Sequence, residues 1–168
     1  MKIIIRDEQL EHIPAIAALT QAAFQNADHS SHTEQFIVNS LRKHGQLTIS
    51  LVAIENNQLV GHVAISPVTI SSGETGWYGL GPISVLPAKQ GQGIGTLLMQ
   101  AALDRLQNLG AQGCVVLGDP QYYGRFGFKA FSELYLKDVP PEYFQVIAFN
   151  GSIPHGEVVY HEAFNATQ

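Results

Sequence analysis

Three glycines within five residues, in Gln90-Gly91-Gln92-Gly93-Ile94-Gly95-Thr96, fall between an apolar strand-like run and a helical pattern. At such a turn the backbone amides converge on one spot, and the helix dipole adds positive potential there. Glycine at alternate positions lets the main chain approach an anion closely and adopt φ values that a side chain resists. Turning the chain needs only one glycine, so the spacing points to an anion cradle suited to a phosphate. Any fold for this chain must carry a strand directly into the start of a helix.

The rest of the pattern fits that demand. Lys2 to Arg6 reads as a first strand, followed by a helix in which Ile13, Ile16, Ala17, Ala23 and Phe24 share a face and Pro14 sits in the first turn. Asn26 to His32 reads as polar loop. Ser31, with Glu34 three residues on, has capping-box spacing for a second helix that turns Phe36, Ile37 and Leu41 inward and ends at Gly45. Two strands then flank Asn56-Asn57, through Ile49, Leu51, Val52 and Ile54 and through Leu59, Val60, Val63 and Ile65. Beyond Ser71-Ser72-Gly73, Trp77 to Leu86 reads as the third strand of this meander, with Gly79 and Gly81 marking a bulge or a close backbone approach. Ile94, Leu97, Leu98, Ala101, Ala102 and Leu109 trace a helix ended by Gly110, and Cys114 to Leu117 is a buried strand. An aromatic segment, Tyr122 to Phe128, precedes strand candidates near Gln145 to Phe149 and Glu157 to Tyr160. Hairpin strands pair antiparallel, whereas the Trp77 strand, the helix and the Cys114 strand form a crossover, so the fold class is α/β with a mixed central sheet. The glycine loop then sits at the carboxyl end of a central strand, where open sheets bind ligands.

With 168 residues, 45% of them apolar and 14% charged, the chain has the surface to fold as one domain over residues 1–168. A net charge of −5 with scattered Lys and Arg offers no basic stripe for nucleic acid, and favours encounter with a cationic acceptor such as an amine. The N-terminus passes from Ile3-Ile4-Ile5 into charge, too short for a signal peptide, and no stretch approaches the roughly 18 apolar residues of a membrane span. The single cysteine, Cys114, allows no intramolecular disulfide, which fits a reducing cytosol; the expected location is cytoplasmic. Oligomeric state is left open, a homodimer included.

The loop lacks the Gly-Lys-Ser/Thr of a nucleoside triphosphate site. A dinucleotide cofactor is the nearer competitor, because Asp119 follows the Cys114 strand where an acidic residue would meet a ribose. Its fingerprint is G-x-G-x-x-G, whereas this loop runs G-x-G-x-G after an antiparallel meander. A nucleotide-dependent oxidoreductase is therefore one reading of the loop.

Val85-Leu86-Pro87, Gln90-x-x-Gly93-x-Gly95 and Tyr123-Gly124-Arg125-Phe126-Gly127-Phe128, in this order and spacing, resemble the GNAT superfamily of acyl-CoA-dependent N-acetyltransferases. The resemblance spans the chain. It implies acetyl-CoA as acyl donor, an amine as acceptor, and direct attack in a ternary complex; beside it stand the nucleotide-cofactor oxidoreductase and a non-catalytic acyl-CoA sensor that keeps the loop without turnover. It implies that the main chain of Gln90, Gly91, Gln92, Gly93, Ile94, Gly95 and Thr96 holds the pyrophosphate, and that the edge at Ile83, Ser84 and Val85 pairs with the pantetheine arm. Gln90 stands where arginine is frequent, and Asp119, also near the cofactor, where many members carry asparagine.

Amine acylation needs a neutral amine, a stabilised oxyanion and a proton for the departing thiolate. By the same resemblance Tyr123 is the proton donor, with Tyr122 the adjacent alternative and packing the ordinary role of the cluster. The base is harder to assign. His62 and Ser84, on facing meander strands, are candidates to meet the acceptor, although a lone strand histidine is commonly a core or surface residue. Neither His29 with His32 nor His155 with His161 has a third ligand nearby in sequence, so no metal is expected. Cys114 lies in an apolar strand with no neighbouring cation to lower its pKa, and reads as core.

Overall fold

The computed structural model describes residues 2–27 and 30–168; the reading of Asn26 to His32 as loop, and of His29 beside His32, falls partly outside them. Strand β1 (Ile3–Asp7) leads into α1 (Ile13–Phe24) and α2 (Glu34–Lys43). The meander follows as β2 (Ile49–Glu55), β3 (Gln58–Ile70) and β4 (Trp77–Val85). Then come α3 (Ile94–Asn108), β5 (Gly113–Leu117), the short α4 (Pro120–Gly124), β6 (Leu134–Tyr135), β7 (Phe144–Ala148) and β8 (Gly156–Tyr160).

The main sheet runs β1-β2-β3-β4-β5-β7 and is antiparallel except for the β4–β5 pair. The β2–β3 hairpin turns at Asn56 and Asn57, whose φ of 51° and 63° are the left-handed values a tight hairpin turn requires and asparagine tolerates. Helices cover both faces, so every residue of β2 is buried and Leu51 to Ile54 form an apolar run without alternation. Leu51, Val63 and Ile65 pack with Leu98, Met99 and Leu106 of α3, while Val52, Ile54 and Ala64 pack with Ile16 of α1 and Val38 of α2. Fully burying a side chain such as Leu98 is worth about 1.5–3 kcal/mol, so α3 is fixed firmly on its face of the sheet.

Several local expectations need correction. Ser31 does not cap α2: Thr33 holds the N-cap without a side-chain bond, and Glu34 instead accepts from the Ser30 hydroxyl at 2.8 Å. The buried face of α2 is Gln35, Ile37, Val38 and Leu41, with Phe36 only half-buried. On α1 the buried residues are Ile16, Leu19 and Thr20, while Ala23 and Phe24 are half-buried. The crossover and the helix end at Gly110 (φ 86°) stand as expected. Among the described residues no helix is long and apolar enough to cross a membrane.

Candidate active site

Strands β4 and β5 pair only from Trp77–Gly79 with Gly113–Val115, after which they separate. The register of β3 against β4 slips between Val63 and Ile65, opposite Gly81 and Pro82. Pro82 has no N–H to give a neighbour, and the slip turns β4 away from β5. Both readings of the strand glycines hold: Gly81 lies in the bulge, and a Cβ on Gly79 would stand 2.6 Å from the Tyr160 ring.

Beyond the separation, Ile83 and Val85 line a groove of about 440 Å³ together with Lys89, Gln90, Gly91, Gly93, Ile94, Gly95, Thr96, Tyr122 and Arg125. Gly91 and Gly93 have φ of 79° and 86°, and no atom lies within 4 Å of where their side chains would project. The loop therefore offers bare main chain to the groove at the N-terminus of the 15-residue helix α3. Gln90 Nε2 donates to the Val85 carbonyl at 3.1 Å, which ties the loop to the strand. Lys89 Nζ is engaged by the buried Glu55 at 2.7 Å, and the Arg125 guanidinium lies 4.7 Å from the Tyr122 ring centre. Gln92 is exposed and does not line the groove.

The two tyrosines of α4 diverge. Tyr122 reaches the groove, its hydroxyl against Gly95; burial raises its pKa and Arg125 opposes that. Tyr123 turns the other way, packing on Gly118 and edge-on to Phe128. Burial, then Tyr122 and Asp119, push the Tyr123 phenol up to about 12, so it is fully protonated at neutral pH. Tyr160 is raised by burial and by the nearby Cys114 and Tyr123, so a second phenol stands close to the first at this end of the sheet. Its part was not visible in the sequence, where only its strand was read. Asp119 does not line the groove; its carboxylate accepts the Gln121 N–H at 2.9 Å and caps α4. Cys114 is fully buried, and burial drives its thiol pKa upward.

Ser84, between Ile83 and Val85, faces the opposite side of the sheet, buried beside its partner His62. His62 Nε2 lies 2.8 Å from Ser50 Oγ. Burial lowers the His62 pKa to about 4, Glu8 opposing and Arg42 adding to that shift, so the imidazole is neutral at pH 7. Burial alone would raise the Glu8 carboxyl, but hydrogen bonds from Arg42 and Ser50 and the Arg42 charge outweigh it and hold the pKa below the usual value. His32, His155 and His161 join no metal-like cluster: among the described residues no three His, Cys, Asp or Glu side chains come together.

Residues 13–128 match the family model described as the acetyltransferase (GNAT) family. The N-acetyltransferase YhbS of Escherichia coli K12 is 37% identical over 97% of this chain and 99% of its own length. A GNAT family acetyltransferase from Brucella melitensis, solved in complex with acetyl-CoA, superposes with a TM-score of 0.87 and 48% identity over 97% of this chain and 98% of that one. The structure of Escherichia coli YhbS in complex with CoA superposes with a TM-score of 0.89 and 34% identity, covering 100% of this chain and 94% of that one. With the family model, a near full-length relative and two close structures in accord, the chain belongs to the GNAT acetyltransferase family and is an N-acetyltransferase.

Proposed function

We propose that this enzyme binds acetyl-CoA along the separated edge of β4 and transfers the acetyl group directly to an amine, without a covalent enzyme intermediate. The observation that carries the reading is the junction itself: an unpaired strand edge that runs straight into a bare glycine loop and a helix N-terminus. A pyrophosphate finds main-chain N–H donors and the helix dipole at Gln90 to Thr96. An extended pantetheine amide chain finds the edge of β4 at Ile83, Ser84 and Val85 that faces away from β3 and that β5 has left, with Gln90 Nε2 on the Val85 carbonyl at its end, and can lie along it as an added strand would. The thioester then lies where β4 leaves β5, the end of the sheet where Tyr123 packs.

There the amine nitrogen bonds to the carbonyl carbon, the carbonyl electron pair moves to oxygen, and collapse breaks the C–S bond. Tyr123 supplies the proton that the departing thiolate takes up, since its phenol is protonated at neutral pH. The negative net charge favours a cationic acceptor in the encounter. The test is a thermal shift. Acetyl-CoA raises the melting temperature, because the native state alone binds it, whereas NADH and ATP at equal concentration do not. Stabilisation by NADH with none by acetyl-CoA contradicts the reading.

A further inference from the structure

Glu8, Arg42, Ser50 and His62 come from four separate stretches of chain and meet in one hydrogen-bonded row. Arg42 donates to both Glu8 oxygens, at 2.8 and 2.7 Å. Ser50 Oγ donates to Glu8 Oε1 at 2.5 Å and lies 2.8 Å from His62 Nε2. A hydroxyl has one proton to give. With that proton committed to the carboxylate, Ser50 presents only lone pairs to the imidazole, so His62 Nε2 carries the N–H. Nδ1 is then the basic nitrogen, and it is buried with no hydrogen-bond partner among the described residues.

Its surroundings repeat the pattern. Ser84 Oγ, on the residue facing His62 across the β3–β4 ladder, and Ser66 Oγ, on the residue facing Gly79, are also buried and unpartnered. The two pairs bracket the stretch of β4 that leaves β5. Leaving a buried polar atom unpaired is costly, and three along this face of β3 and β4 point to a polar ligand that reaches them. The charged groups that reach His62 are Glu8 and Arg42. Helix α1, packed on this face, contributes no titratable side chain, and β4 contributes Ser84.

We propose, resting on the acetyl-transfer reading above, that His62 Nδ1 is the base that accepts the proton of the attacking amine, with Ser50 and Glu8 as positioning residues that fix its tautomer. As the N–C bond forms, one N–H proton of the amine moves to Nδ1. The resulting imidazolium is held by Ser50 and faces the Glu8 charge through it. The proton stays there until the products leave and then passes to water, which also restores the proton that Tyr123 gave to the thiolate. Burial that keeps His62 neutral leaves its lone pair available at neutral pH.

The experiment combines the tautomer with kinetics on the full chain. Long-range proton–nitrogen correlation spectra of the histidine-labelled protein at pH 7 give His62 as the Nε2–H tautomer, and an Nδ1–H tautomer overturns the proposal. Rates are then read with saturating acetyl-CoA and the best acceptor among spermidine, a free amino acid, an aminoglycoside and a short peptide. His62→Gln lowers kcat on the order of a hundredfold, and Ser50→Ala lowers it with acetyl-CoA affinity unchanged. Ser50→Thr, which keeps the hydroxyl, retains both the tautomer and most of the rate. A folded His62→Gln enzyme with wild-type kcat, or Ser50→Ala with a wild-type pH–rate profile, refutes the assignment. Should the wild-type chain show the Nε2–H tautomer and transfer acetyl to none of these amines, the transfer reading itself falls, and the base role with it.

Discussion

The Tyr122 hydroxyl stands against Gly95, where a Cβ would lie 2.7 Å from it. This contact couples α4 to the glycine loop, and it separates two explanations for the third glycine. Gly95 has ordinary helical geometry, so it is needed for space rather than for backbone freedom. Gly95→Ala pushes Tyr122 out of its position and weakens acetyl-CoA binding several-fold, whereas Gly95→Ala combined with Tyr122→Phe recovers part of the loss. Calorimetric titration of the four proteins closes this double-mutant cycle. Strict additivity shows that the two residues act independently.

Gly93 differs, because its φ of 86° favours glycine while the space around it is open. Gly93→Asp meets no steric clash, costs roughly 1–2 kcal/mol of backbone strain, and sets a carboxylate where the pyrophosphate would meet bare amides. The variant folds with a modestly lower melting temperature and does not bind coenzyme A. A folded variant with unchanged affinity moves the phosphate site elsewhere.

Tyr123→Phe removes a hydroxyl and keeps the ring that packs on Gly118 and Phe128. Stability and acetyl-CoA affinity stay close to wild type, and kcat falls on the order of a hundredfold, the scale of general acid catalysis. Tyr122→Phe stays within a few-fold of wild-type turnover. The reverse pair of results transfers the proton-donor role to Tyr122, and a change confined to KM marks binding rather than chemistry.

Protonation of His62 links folding to pH. Its folded pKa of about 4 lies below the unfolded value of 6.5, so the unfolded chain binds the extra proton between these values. The stability associated with a neutral His62 is therefore complete above pH 6.5 and is lost as pH falls towards 4. Glu8, whose pKa is lowered, adds an acid loss that begins only below its ordinary value of 4.5. Urea unfolding at pH 7 and pH 5 shows a larger drop for wild type than for His62→Gln. Equal drops mean that His62 is not the linked group.

The order of elements and the glycine loop were legible because their signals are local. Asn56-Asn57 specifies a tight hairpin turn, and Gly110 ends α3, without reference to distant residues. Ser31 failed as a cap although its spacing was right, since α2 begins only at Glu34, which puts Thr33 at the N-cap and leaves the Ser30 and Ser31 hydroxyls on the Glu34 carboxylate. Neighbouring Tyr122 and Tyr123 look alike in sequence, and only the path of the five-residue α4 decides which ring meets the groove. The least legible feature is the row from Arg42 to His62, whose links join residues 12 to 42 positions apart. No periodicity or motif encodes such a row, and it exists only once β1, β2, β3 and α2 have come together.

In the proposed reaction an acetyl group passes from acetyl-CoA to an amine at the gap between β4 and β5. The most direct test incubates the wild-type chain with acetyl-CoA and the amine panel and follows free coenzyme A and acetylated amine together by mass spectrometry, which Cys114 does not disturb. Equal yields of both products are expected with at least one amine, and formation of both slows on the order of a hundredfold in Tyr123→Phe. Coenzyme A release no faster than in enzyme-free controls, or release without acetylated amine, contradicts the proposed reaction.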